Sequence, residues 1–212
     1  MRSWFVFLLA LLSIRAFAAF PADSNLKGWD TTIIKLANSA STVKYMTADE
    51  KKVIFYINLC RMQPRLFSKT ILKQYITENP DKETNPYVVS LMKDLKGSKP
   101  KHPLQPDADL YKSAEKWATE TGKSGATGHG NFNKRFNSFL KKNNVTVGEN
   151  CDYGHSDPLA IVLDLLIDEG VEDLGHRKNI LAASFNTVGV SIKPHKGFTW
   201  DCVMDFEGPY HN

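Results

Sequence analysis

With 212 residues, the chain is long enough for one domain with a sizeable core and leaves little room for two. Its 42% hydrophobic and 24% charged residues exclude a disordered or fibrous chain. The formal charge of +4 is interspersed, and so weak an excess is no nucleic-acid footprint.

Met1-Arg2 gives a short positive start, Trp4 to Leu12 is an unbroken apolar run, and Ala16-Phe17-Ala18 places small residues where a signal peptidase reads. The run is too short to span a membrane, and no later segment approaches the ~20 apolar residues that a span needs. Residues 1–18 therefore read as a signal peptide and the product as secreted, extracellular and without a transmembrane segment. Cleavage after Ala18 removes Arg2 and Arg15 and no acid, taking the formal charge from +4 to +2. Residues 19–46 form an N-terminal extension: Phe20 to Met46 shows no clear period and is expected to wrap the surface. The domain proper is placed at 47–212.

Thr47-Ala48-Asp49-Glu50 is a capping box, and behind it Val53, Ile57 and Cys60 recur at i, i+4, i+7. This predicts an amphipathic helix ending before Pro64. A second helix covers Arg65 to Ile76, and Asn85-Pro86 opens a third. Lys96 to Pro106, rich in Gly, Ser, Lys and Pro, is expected as a surface loop, with His102 solvated in it. Asp107 caps a helix with Leu110, Ala114, Trp117, Ala118 and Thr121 on one face, stopped by Gly122. A glycine-rich stretch then presents His129 within Gly128-His129-Gly130.

Asn144 to Asn150 reads as a strand, and Asp157-Pro158 caps a helix with apolar residues from Leu159 to Ile167. Gly175 to Leu181 is a short helix. Val188, Val190 and Ile192 alternate, as do Phe198, Trp200, Cys202, Met204 and Phe206, which predicts an antiparallel hairpin around Lys193 to Gly197. Helices around a small antiparallel sheet make the fold class α+β. Asn144-Val145-Thr146 is an N-glycosylation acceptor. Three cysteines survive processing, and the odd count leaves one thiol over in a compartment that permits disulfides. Cys60, among apolar residues of its helix, reads as a buried thiol.

Four segments carry the family signal: G-E-N-C-D-Y-G at Gly148 to Gly154, G-H-R-K-N-I-L at Gly175 to Leu181, V-G-V-S-I at Val188 to Ile192 and C-V-M-D-F at Cys202 to Phe206. With His129 upstream, their order and spacing resemble the CAP superfamily of cysteine-rich secretory proteins, antigen 5 and plant pathogenesis-related proteins. The wording is closest to the compact branch of bacteria and protists. The resemblance implies an α-β-α sandwich. It also implies that the strands bearing the Cys151 and Cys202 motifs share one sheet, which favours a Cys151–Cys202 bridge.

The resemblance further aligns His129, Glu149 and His176 with the family's cavity residues. The fourth is a carboxylate before the second histidine. Asp168, sharing a helix face with Ile161 and Leu165, is preferred over its neighbour Glu169. Two neutral imidazoles and two carboxylates suit zinc or another divalent metal, and the same set can do acid–base work. No H-E-x-x-H or G-x-S-x-G motif is present, and no cysteine is placed as a nucleophile beside a histidine.

Three readings stand at this point. The first is a metal-holding cleft for an extracellular protein partner or lipidic ligand. The second is a metal-dependent hydrolase, peptidase-like, with Glu149 or Asp168 as base. The third is a non-catalytic interaction or defence module with an inert cleft, in which Glu149 holds its own loop and His176 braces the following helix. Binding is preferred to catalysis. His155, His195 and His211 match nothing and are expected at the surface.

Overall fold

The computed structural model describes residues 26–141 and 145–209. The signal segment, the Asn144 acceptor and His211 lie outside the described residues.

Asp30 caps α1 (Thr31–Ala37), its carboxylate accepting from the amides of Thr32 and Ile33. Trp29, Ala37, Ala40 and Met46 are all buried in the main core. This corrects the expectation of a surface-wrapping segment: too short for a period to show, it nonetheless supplies core side chains. Asn58 explains how it is held. Its amide donates to the Ala37 and Leu104 carbonyls and accepts from the Leu104 amide, all buried, so one side chain joins the segment and the Lys/Pro loop to the next helix.

That helix, α2 (Ala48–Met62), begins at the Thr47/Glu50 capping box. Glu50 also accepts from the Ile192 amide, tying the helix start to the sheet. The second expected helix is one run with a π-turn in its middle: α3 (Pro64–Phe67), Ser68–Leu72 in π geometry, and α4 (Lys73–Glu78). After α5 (Pro86–Gly97), the loop ends in a two-residue strand, β1 (Gln105–Pro106).

Next comes α6 (Ala108–Ser124), which passes through the expected stop at Gly122 and closes at Gly125 with φ 78°. Gly122 is a contact point, because a Cβ there would collide with the Pro194 carbonyl. Gly125 supplies the left-handed turn that ends the helix.

Two short turns, α7 (Phe132–Arg135) and α8 (Asn137–Leu140), lead to β2 (Val145–Tyr153). After α9 (Pro158–Ile167) and α10 (Gly175–Leu181) comes the hairpin of β3 (Thr187–His195) and β4 (Thr199–Pro209). The sheet order is β1-β3-β4-β2. Three strands are antiparallel, and β1 adds a parallel edge against Thr187 and Val188, so the sheet is mixed rather than purely antiparallel.

The α6 helix covers one sheet face, and α2 with α9 covers the other. The chain is an α+β sandwich of the α-β-α kind. Period-2 alternation sorts the strands accordingly. Val188, Val190, Cys202, Met204 and Phe206 join the main core, while Cys151 and Val203 face Ala114 and Ala118 of α6.

This alternation overturns the Cys151–Cys202 bridge. The motifs do share one sheet on neighbouring strands, but Cys151 stands opposite Val203, and Cys202 opposite Asp152. A one-residue offset sends the two thiols to opposite faces. All three cysteines are free, and Cys60 is fully buried in α2, its thiol pushed up to about 12 by that burial.

Candidate functional site

β2 is an edge strand, and the site gathers around it from both faces of the sheet. On the α6 face, Glu149 is buried and its carboxylate oxygen lies 2.8 Å from Nδ1 of His129, which comes from the glycine-rich loop. Arg135 of α7 donates to both Glu149 oxygens and to the His129 carbonyl. Its guanidinium stacks on Trp117, 4.2 Å from the ring centroid. Trp117 in turn donates to the Gly128 carbonyl, so α6, α7 and the His129 loop form one braced unit.

On the other face, Asp168 holds His176. Its oxygens lie 2.7 Å from His176 Nδ1 and accept the backbone amides of His176 and Arg177. Asp168 is not on the helix, as its spacing implied. It closes α9 in the left-handed region at φ 59°. Leu174, entering α10, is left-handed as well, at φ 52°. Two strained residues therefore bracket the loop that presses Asp168 against His176. Glu169 turns outward to Lys82 and Asn85 and takes no part in the cleft.

The structure thus brings His129, Glu149, Asp168 and His176 together, with the two imidazole centroids 6.3 Å apart. An ionised carboxylate only accepts, so each Nδ1 carries the proton and each Nε2 keeps its lone pair. The Asp168 hydrogen bond raises the His176 pKa above its ordinary value, with burial opposing it. Asn150 and Asn179 frame the strand edge. Asn150 donates to the His176 carbonyl, and Asn179 donates to the Glu149 carbonyl and the Asn150 side chain. Arg135 also lines an open groove of about 420 Å³ with Ser113, Lys116 and Trp117.

Cys151 follows on the same face as Glu149. His129, Glu149 and Cys151 each place one potential ligand atom within 4.8 Å of the others. Burial first, and then the Glu149 charge, raises the Cys151 thiol well above its usual range, so it is no ready nucleophile.

Acids continue along this face. Asp205 stands directly opposite Glu149 and is fully buried; burial and the Glu149 charge push its carboxyl well above the usual range. Asp201 lies 2.6 Å from Thr121 Oγ and is pushed up to about 6 by burial. The hydrogen bond that Thr121 donates to Asp201 opposes this rise without cancelling it.

A raised folded-state pKa on an acid gives stability that is fully present below the unfolded value of 3.8 and lost as pH rises through about 6. Asp201→Asn is therefore expected to flatten the decline in unfolding free energy between about pH 4 and 7. Urea unfolding across that range checks it, and an unchanged slope would remove Asp201 as the source.

Sequence reasoning missed Arg135 and misplaced His195. The latter is buried, not superficial: its Nδ1 accepts from the amides of Gly197 and Phe198, and Nε2 donates to the Ala126 carbonyl. It locks the hairpin turn to the loop leading to His129. His155 is not a free surface group either, since it pairs with the buried Asp152. His102 is exposed, as expected.

No curated protein matches the chain. Among solved structures, an outer surface protein from Borrelia burgdorferi is similar over 63% of this chain and 95% of its own, at 17% identity and a TM-score of 0.42. A sequence model described as the cysteine-rich secretory protein family, CAP, matches residues 89–206. That span takes in α6, the whole sheet apart from its last residues, and all four side chains of the cleft. It covers more than half of the 212 residues, and the chain belongs to the CAP family.

Proposed function

We propose that this chain is a secreted CAP-domain binding protein whose cleft holds a divalent metal, zinc in the first instance, through Nε2 of His129 and His176. The observation that carries the reading is the pairing of each Nδ1 with a buried carboxylate, at 2.8 and 2.7 Å, on rings 6.3 Å apart. Metal-bound imidazoles have this backing, which fixes the tautomer and makes the free nitrogen a better donor. Two imidazoles sharing one tetrahedral zinc ion through bonds of about 2.1 Å place their centroids roughly 5–5.5 Å apart, so the donor set fits the ion and the rings, 6.3 Å apart, need to close by about 1 Å to share it.

In this arrangement the carboxylates orient rather than ligate. Glu149 is committed to His129 and Arg135, and Asp168 to the His176 ring and two amides. Neither is free to act as a general base, which favours binding over the hydrolase alternative. A bound zinc ion supplies a Lewis-acidic point for an anionic or carbonyl group of a ligand. The groove beside Arg135 offers adjoining room for a protein partner or lipidic ligand. Secretion rests on the apolar run at Trp4 to Leu12 with the cleavage signal after it. Among the described residues, no helix is long and apolar enough to cross a membrane. The burial of Trp29 and Ala37 supports a domain that begins well before residue 47.

Calorimetric titration with zinc tests the reading. The variant His129→Ala/His176→Ala is expected to bind one equivalent fewer than the unaltered chain while keeping its far-ultraviolet circular dichroism. The two rings are partly exposed, at 46% and 22%, so their loss leaves the core intact. Identical stoichiometry in the two proteins would sink the metal reading and leave a module acting through its surface.

A further inference from the structure

The far end of β2 carries a second set of ligand-type side chains, on the sheet face opposite Glu149. Asp152 points toward the α9 side, and its side chain is fully buried. His155, in the loop that follows, places Nδ1 at 3.0 and 3.2 Å from the two Asp152 oxygens. Asp164, on the second turn of α9, completes the group, and one potential ligand atom from each residue lies within 4.8 Å of the others.

The peculiarity is the company Asp152 keeps. A buried carboxylate is ordinarily satisfied by backbone amides, an arginine or a lysine. Here the partners are one imidazole and a second carboxylate, Asp164, and among the described residues nothing outside the cluster donates to the Asp152 side chain. Two acids in hydrogen-bonding range need a positive charge between them, either a proton or a cation.

We propose that Asp152, His155 and Asp164 form a second divalent-cation site, independent of the imidazole cleft. One nitrogen and two carboxylate oxygens match zinc or manganese rather than calcium, which takes six to eight oxygens. A zinc shell with bonds of about 2.1 Å has donor–donor edges of roughly 3.4 Å; His155 Nδ1 already stands 3.0 and 3.2 Å from the Asp152 oxygens, and Asp164 lies within 4.8 Å of both residues. The side chain of His155 is 41% exposed and Asp164 is exposed as well, which leaves one side open for water to complete the shell. The bound ion would pin the Gly154–Pro158 loop to α9.

The two sites are separable by experiment, using zinc alone as the probe on the full chain. His129→Ala/His176→Ala is expected to retain one zinc equivalent, and adding Asp164→Asn to abolish it or weaken it at least tenfold. Asp164 is exposed, so this substitution is compatible with folding, and circular dichroism confirms that it is. His155→Ala in the same background is expected to give the same loss. Absence of any zinc binding by the doubly substituted chain overturns the proposal, as does an equivalent that survives both further substitutions. Neither result bears on the imidazole cleft, which is read from the difference between the unaltered chain and His129→Ala/His176→Ala.

Discussion

Glu149→Gln is expected to lower the unfolding free energy by about 3 kcal/mol and to weaken zinc binding 10- to 100-fold. Glu149 is buried and holds two cationic or donor groups at once, His129 Nδ1 and Arg135 Nη2. A glutamine removes the charge and keeps one accepting oxygen, so where the second carboxylate oxygen now accepts from Arg135 it turns an NH₂ donor toward the guanidinium. Arg135 is itself only 16% exposed, and its Nε and Nη1 atoms are buried without a hydrogen-bond partner among the described residues. Breaking a buried ion pair from one side costs about 3–5 kcal/mol, because the stranded charge stays desolvated. The lower end applies here, since neutralising Glu149 also relieves Asp205 directly across the strand. The zinc effect follows from the usual 10- to 100-fold dependence of metal affinity on groups that orient the ligands. Urea unfolding and zinc titration read the two effects separately. A loss of stability under about 0.5 kcal/mol, the ordinary scatter of surface substitutions, would mean that Arg135 finds another partner and that the braced unit of α6, α7 and the His129 loop does not exist.

The elements that sequence reasoning recovered are those whose signals are local. Capping residues Thr47, Asn85, Asp107 and Asp157 each open a helix at the expected place, and the alternation at Val188 and Cys202 marks the hairpin. What escaped depends on contacts distant in sequence or on parity. Gly122 has the local chemistry of a helix stop, yet the helix runs through it because the Pro194 carbonyl of β3 leaves no room for a side chain there. Cys151 and Cys202 sit on paired strands as inferred, yet register, which no single strand encodes, decides the face.

The cleft was legible to different degrees. His129, Glu149 and His176 lie in fixed short motifs. Asp168 was singled out by helical spacing, although it acts as a left-handed residue just beyond the helix. Arg135 lies in a four-residue turn with no periodicity, where Lys134-Arg135 looks like any solvated basic pair. Asp152 and His155, three residues apart, had a faint local signal, but the third member comes from α9 and only folding reveals it.

Arg177→Met is expected to destabilise the chain by about 4 kcal/mol and to loosen the His176 half of the cleft. Arg177 is 2% exposed and makes five hydrogen bonds through its side chain. Its Nε and Nη2 atoms donate to the Leu166 and Ile167 carbonyls at 2.6 and 2.8 Å, groups in the last turn of α9 that have no intrahelical partner. Nη2 also reaches the Tyr87 carbonyl, and Nη1 reaches Ser90 and Asp94 on α5. Methionine fills much of the volume but donates nothing, leaving the buried Leu166 and Ile167 carbonyls unsatisfied at about 1–3 kcal/mol each. For a domain of this size the loss corresponds to a fall in Tm of roughly 10 °C. Because Leu166 and Ile167 immediately precede Asp168, their release frees the strained turn that sets Asp168 against His176, and zinc affinity should fall with stability. Arg177→Lys separates charge from geometry: a single ammonium pairs with Asp94 but cannot span α5 and α9, so its stability should lie between the other two. Calorimetric melting of the three proteins decides the matter. A methionine variant within about 1 kcal/mol of the unaltered chain, the net worth of one ordinary hydrogen bond, would show that α9 holds its own end and that the position of Asp168 is set by the loop alone.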